Sequence, residues 1–129
     1  MPPELNHIIL PSNDMHASAA FTSKILGLEQ QPQWGPFMPV VLGNGVTIDY
    51  LNAEVLDSHH CAFIVDDAEF EPIFERITTM GIPYYADPGL QHAGEINHYD
   101  RGSGVYFLDP DGHLLEVITR PYGSGSTEA

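Results

Sequence analysis

An α+β chain built from two copies of one strand, helix and hairpin unit is the fold class that this sequence predicts, and three observations predict it. The first is order: a short apolar run, a helical stretch and a hairpin occur within residues 5–51 and recur within 60–119. The second is alignment. Placing His7 on His60 puts Asn13-Asp14 on Asp66-Asp67 and Phe21 on Phe74, and with one inserted residue Gly27-Leu28 falls on Gly81-Ile82. Placing Gly45 on Gly112 then puts Asp49 on Glu116. The third is size: 129 residues bury roughly two-thirds of their unfolded surface, so a core forms without disulfides or structural zinc. The expected organisation is a single domain over 1–129, with module one at about 4–53, module two at about 57–120 and a flexible Gly/Ser-rich tail at 121–129.

In module one, Leu5 to Leu10 suits a strand, and Pro11-Ser12-Asn13-Asp14 reads as a turn. A helix follows to Leu26, with Asn13 or Asp14 as its cap and Gly27 as its stop. Its apolar residues Met15, Ala19, Phe21, Ile25 and Leu26 fit one face only loosely. Val40–Leu42 and Val46–Leu51 form a hairpin around Gly43-Asn44-Gly45, a stretch too short to cradle phosphate. In module two, His60 to Val65 is a strand and Asp66-Asp67 a cap. Glu69 to Met80 is a helix carrying Phe70, Ile73, Phe74 and Ile77, with Gly81 its stop. A loop of about twenty residues leads to the hairpin of Val105–Leu108, Asp109-Pro110-Asp111-Gly112 and His113–Thr119. The extra length of module two sits in that loop: 42 residues separate His7 from Asp49, and 56 separate His60 from Glu116.

Composition narrows the function classes. Eighteen acids against four cations give a formal charge of −14, which repels phosphate backbones and anionic lipid. No nucleic-acid or membrane partner is expected, and a small-molecule substrate is. The single Cys61 excludes an intramolecular disulfide framework and a multi-cysteine metal site. No apolar run spans a bilayer, and Pro2, Pro3 and Glu4 do not open a signal peptide, so a cytoplasmic location is expected.

Each module thus starts with a strand histidine and ends with a strand carboxylate, and convergence of two such pairs would make a divalent-metal site. At these residues the chain resembles the vicinal oxygen chelate superfamily, which includes glyoxalase I, the bleomycin and fosfomycin resistance proteins and the extradiol dioxygenases. The segment from Val105 to Ile118, Val-Tyr-Phe-Leu-Asp-Pro-Asp-Gly-His-Leu-Leu-Glu-Val-Ile, resembles the family's last hairpin. Asn6 to Leu10 resembles its first strand, and His60 to Asp67 the opening of its second module. The resemblance implies two βαβββ modules in tandem, an open barrel of two curved mixed sheets, and a homodimer. It further implies a metal held by His7, His60 and Glu116. Asp49 stands at the fourth position that glyoxalase-like members use, one methylene shorter than the glutamate usual there.

Other residues carry weaker signals. The order His98, Asp100, Tyr106, Pro110, Gly112, Glu116 resembles the extradiol dioxygenase signature, with spacing off by one residue. It makes His98 a candidate acid/base and Tyr106 a candidate substrate-orienting phenol, against a plain loop histidine and a packing aromatic. Arg101 either holds an anionic group or pairs with Asp100 or Asp109. Trp34, Phe37 and Met38 either line a pocket or belong to the core or a dimer contact. Strand alternation sends His59 and His60 to opposite faces, and the family resemblance implies that His60 is the inward one. His16 is expected at the surface or as a capping residue, His113 in solvent, and Glu69, Glu71 and Glu75 on a solvated helix face.

A 2-His-1-carboxylate set leaves open positions for substrate, and for dioxygen when the metal is Fe2+. With Zn2+, Ni2+, Mn2+ or Co2+ it acts as a Lewis acid. Three functions follow. The leading one is a metal-dependent, extradiol dioxygenase-like ring cleavage. A glyoxalase I-like lyase or isomerase is the second, and a non-catalytic drug-binding protein of the bleomycin-resistance type the third.

Overall fold

The computed structural model describes residues 1–125. They form two compact units, one of residues 1–58 with the turn 109–112, the other of 59–108 with 113 onward. No helix among the described residues is long and apolar enough to cross a membrane.

The first unit packs α1 (Met15–Leu26) on a mixed sheet of β1 (His7–Ser12), β2 (Phe37–Val41) and β3 (Thr47–Asn52). Strand order is β1-β3-β2, with β1 parallel and β2 antiparallel to β3. Side chains alternate across a strand, so Leu10, Met38, Val40, Ile48 and Tyr50 are buried. His7, Phe37, Pro39 and Asp49 sit at the intervening positions. Each fully buried aliphatic here contributes about 1.5–3 kcal/mol of transfer free energy. Asp14 caps α1 by accepting from the Ala17 N–H, and Gly27 ends it in the left-handed region at φ 72°.

The buried side of α1 explains its loose apolar pattern: Ser18, Thr22 and Ser23 are buried beside Met15, Ala19 and Ile25. Two of these hydroxyls are paired. Thr22 Oγ1 lies 2.7 Å from the Tyr50 hydroxyl, which donates at 3.2 Å to the buried Asp109. Ser18 donates to Asp111 at 2.6 Å, and the same carboxylate accepts from the Asn13 N–H at 2.8 Å. The turn 109–112 is thereby tied to the start of α1.

The second unit carries β4 (His60–Ile64), α2 (Asp67–Thr79), β5 (Tyr84–Tyr85), a 3-10 turn (Tyr99–Arg101), β6 (Gly104–Leu108) and β7 (Leu114–Ile118). Its sheet runs β4-β7-β6-β5, again with the first strand parallel to the last. Asp66 caps α2 by accepting from the Glu69 N–H at 2.8 Å. Phe70, Ile73 and Ile77 are its buried side, and Phe74 meets Tyr84 edge-on at 5.0 Å. The expected long loop therefore contains a two-residue strand, which the first unit does not match. There, only an isolated bridge between Trp34 and Phe37 precedes β2, in a stretch where Pro32 lacks the N–H that a ladder needs.

One expectation is overturned. His113 is 0% exposed, not in solvent: its Nδ1 accepts from the His59 N–H at 3.0 Å, and the His59 ring packs edge-on to it at 5.3 Å. A polar residue just after a turn reads as exposed, but this imidazole satisfies the His59 backbone N–H at the residues leading into β4 and β7.

Candidate metal centre

The registers of the two sheets repeat. In the first, His7 is level with Thr47, and Asp49 lies two residues further on, level with Ile9. In the second, His60 is level with Leu114, and Glu116 lies two residues further on, level with Ala62. Parallel strands in this register place a histidine and a carboxylate on one face of each sheet, because both side chains lie an even number of residues from a level pair.

In the second unit the pair is in contact. His60 Nε2 lies 2.9 Å from Glu116 Oε1, and Glu116 is 1% exposed. An unpartnered carboxylate at that depth costs several kcal/mol, and the surrounding groups offset it. The Tyr122 hydroxyl donates to Oε2 of Glu116 and lies 2.8 Å from the Tyr106 hydroxyl. Tyr106 is level with Glu116 on the neighbouring strand and is buried. Burial first, then hydrogen bonding and the charge of Glu116, push its phenol well above the ordinary value of 10. It is therefore protonated at neutral pH and acts only as a neutral hydrogen-bonding group.

The donor set fits a divalent ion. His60 Nε2 and Glu116 Oε1, 2.9 Å apart and in hydrogen-bond contact, already converge on one point, where the two would hold an ion together. An imidazole nitrogen with a carboxylate oxygen suits a first-row transition ion.

In the first unit, His7 and Asp49 line the same pocket, of about 530 Å³, with Trp34, Phe37, Pro39 and Val41 among its walls. His7 is exposed, and its Nδ1 lies 2.7 Å from Asn6 Oδ1. Trp34 is 72% exposed, and its ring stacks at 16° on Phe37 with centroids 6.4 Å apart. These two thus line a pocket, while Met38 turns to the core.

His98 is exposed and directly precedes the 3-10 turn. Its Nδ1 donates to the Gly102 carbonyl at 2.9 Å, because a carbonyl only accepts, which leaves Nε2 as the basic nitrogen of the neutral ring. Asp100 accepts from the Gly123 and Gly125 N–H groups at 3.1 Å. Arg120 forms a two-pronged pair with Asp67 at 3.1 and 3.2 Å. Tyr122 is the residue that sequence reasoning missed. It lies in a stretch read as flexible tail, yet Tyr122, Gly123 and Gly125 are hydrogen-bonded to Glu116 and Asp100; 126–129 lie outside the described residues.

A mixed-sheet α+β unit built twice, each copy with an imidazole and a carboxylate on adjacent parallel strands, defines a class of metal-binding proteins. Residues 4–117 match the Glyoxalase/Bleomycin resistance protein/Dioxygenase superfamily, and the chain belongs to it. Two solved structures are close in sequence and shape. Oxidase ChaP-H2 is 51% identical, with a TM-score of 0.95 over 98% of this chain and 100% of that one. Oxidase ChaP-H1 is 48% identical, with a TM-score of 0.91 over 95% and 99%. The glutathione transferase FosA of Serratia marcescens is 32% identical over 88% of this chain and 78% of its own. These relatives are enzymes, the superfamily uses divalent metal ions, and this chain is placed among its metal-dependent enzymes.

Proposed function

We propose that the chain is a metal-dependent oxidative enzyme that takes a small aromatic diol through two adjacent oxygens, in the manner of an extradiol dioxygenase. The observation that carries this reading is the His60–Glu116 pair, 2.9 Å apart and closed over a buried carboxylate. The near-half identity to two proteins named oxidases supports an oxidative reaction. His60 and Glu116 would hold the ion, with His7 as the further ligand that the family resemblance implies, in a homodimer as that resemblance also implies. When bound, the ion supplies Lewis acidity to paired substrate oxygens and, as ferrous iron, redox chemistry with dioxygen.

The chain's own residues supply the rest. Within the first unit, the flat apolar walls that Trp34 and Phe37 give the pocket also lined by His7 suit an aromatic ring. Only a few cations are present, and Arg120 is committed to Asp67, which favours a neutral substrate over a polyanion. His98, with its basic Nε2, takes a proton from a substrate hydroxyl, and Tyr106 orients substrate through a phenol that stays protonated.

A second reading, a glyoxalase-like lyase, is favoured by Asp49, which holds in the first sheet the register position that Glu116 holds in the second. Loading the metal-free protein with ferrous iron under argon, then adding air and catechol, separates the two. Oxygen uptake with a yellow ring-cleaved product supports the dioxygenase reading. No oxygen uptake, with turnover of a hemithioacetal by the nickel or zinc form, supports the lyase.

A further inference from the structure

The chain's last described turn is built against the site. Pro121, Tyr122, Gly123 and Ser124 form a β-turn closed by the Ser124 N–H on the Pro121 carbonyl at 3.1 Å. Gly123 sits at the third position with φ 81°, as a type II turn requires. That leaves Tyr122 at the tip. The Asp100 carboxylate accepts from the backbone N–H groups of Gly123 and Gly125, all at 3.1 Å. Asp100 is itself in the left-handed region, at φ 56° and ψ 29°, a conformation that aspartate adopts more readily than most residues. Gly125 lies so close to the Asp100 backbone that a Cβ there would overlap it. A strained turn in the long loop, with its Asp100 buried, thus fixes where Tyr122 stands.

Tyr122 is more than half exposed as a residue, yet its hydroxyl reaches the buried Glu116. It donates to Oε2, and its oxygen lies 2.8 Å from the Tyr106 hydroxyl. The other oxygen, Oε1, is the one turned to His60. The two carboxylate oxygens are therefore divided, one toward the imidazole and one to the phenol. We infer that Tyr122 is a positioning residue for the metal ligand Glu116: held by Asp100, its phenol occupies Oε2 and presents Oε1 alone to the ion.

The inference rests on His60 and Glu116 being ligands, and it assigns the turn 121–124 a role that the proposed reaction alone does not require. A carboxylate fixed by a hydrogen bond on its outer oxygen binds from one oxygen, with no reorganisation when the ion enters. Freed of it, the carboxylate turns or chelates with both oxygens. Groups that orient a metal ligand in this way typically change affinity by about 10–100-fold.

The test uses the full, metal-free chain and cobalt(II) alone as the probe, with binding followed by calorimetry and the visible absorption of the bound ion. Tyr122→Phe should weaken cobalt binding by about 10–100-fold and dim the visible bands, as two-oxygen chelation raises the coordination number. Asp100→Ala should weaken binding in the same direction. The double variant should bind no more weakly than Tyr122→Phe, because Asp100 acts through the tyrosine. Unchanged or tighter cobalt binding by a folded Tyr122→Phe, beside an unaltered chain that binds one ion, would overturn the inference and leave the ligand reading standing. Failure of the unaltered chain to bind cobalt would overturn both.

Discussion

Glu116 shows at the scale of one residue how burial dictates partners. It is a carboxylate on an apolar strand, and the structure surrounds it with an imidazole and a phenol instead of solvent. Tyr106 feels the same carboxylate. Its phenol is raised above the ordinary value of 10 by burial, then by Glu116. A group whose folded value exceeds its unfolded one stabilises the fold fully below the unfolded value, and that contribution is lost as pH climbs through the folded one. The metal-free protein should therefore lose stability above about pH 10 more steeply than Tyr106→Phe does. Urea midpoints of both proteins at about pH 9 and about pH 11 check it; parallel losses would count against the assigned cause. The His60–Glu116 relation was legible from the repeat because spacing survives when side-chain contacts are invisible. Tyr122 was not legible: it is surrounded by Pro121, Gly123 and Ser124, a composition that reads as tail. Its partners lie earlier in the chain, Glu116 for its hydroxyl and the Asp100 carboxylate for the N–H of the adjoining Gly123, and they reveal that it is held.

The two helices share one start signal, an aspartate whose side chain accepts from the N–H three residues on, Asp14 with Ala17 and Asp66 with Glu69. Replacing Asp14 by alanine should cost about 1 kcal/mol, read as a lower urea midpoint with an unchanged slope; no loss would mean that the contacts of Asn13 with Asp111 and of Met15 with Asn52 fix the helix start by themselves. Helix ends were readable because caps are local chemistry. The faces were less so. Ser18, Thr22 and Ser23 are buried in α1, with Tyr50 and Asp111 receiving two of their hydroxyls. An apolar-only pattern search therefore sees a weak helix face where there is a complete one. β5, two residues long, is below the length at which alternation carries any signal. His113 was misplaced for a related reason: turn-flanking polarity suggests solvent, whereas its partner is a backbone N–H 54 positions away.

Across the whole molecule the sequence is one plan used twice with unequal results. Both sheets carry a histidine on the first strand and a carboxylate two residues beyond its level partner on the last. The first copy keeps its pair at an apolar pocket wall with Pro39 level with Asp49; the second has Tyr106 level with Glu116 and closes the pair into contact. The fold class and the family were legible from this repeat and from the last hairpin. The reaction was not, since one ligand set serves oxidation with iron and Lewis-acid chemistry with other ions. The central claim is that His60 and Glu116 hold a divalent ion. Metal analysis of protein purified without chelators, beside His60→Ala and Glu116→Ala, tests it most directly. About one ion per chain is expected in the unaltered protein, with a drop of at least about tenfold in each variant. Equal metal content in all three would contradict it.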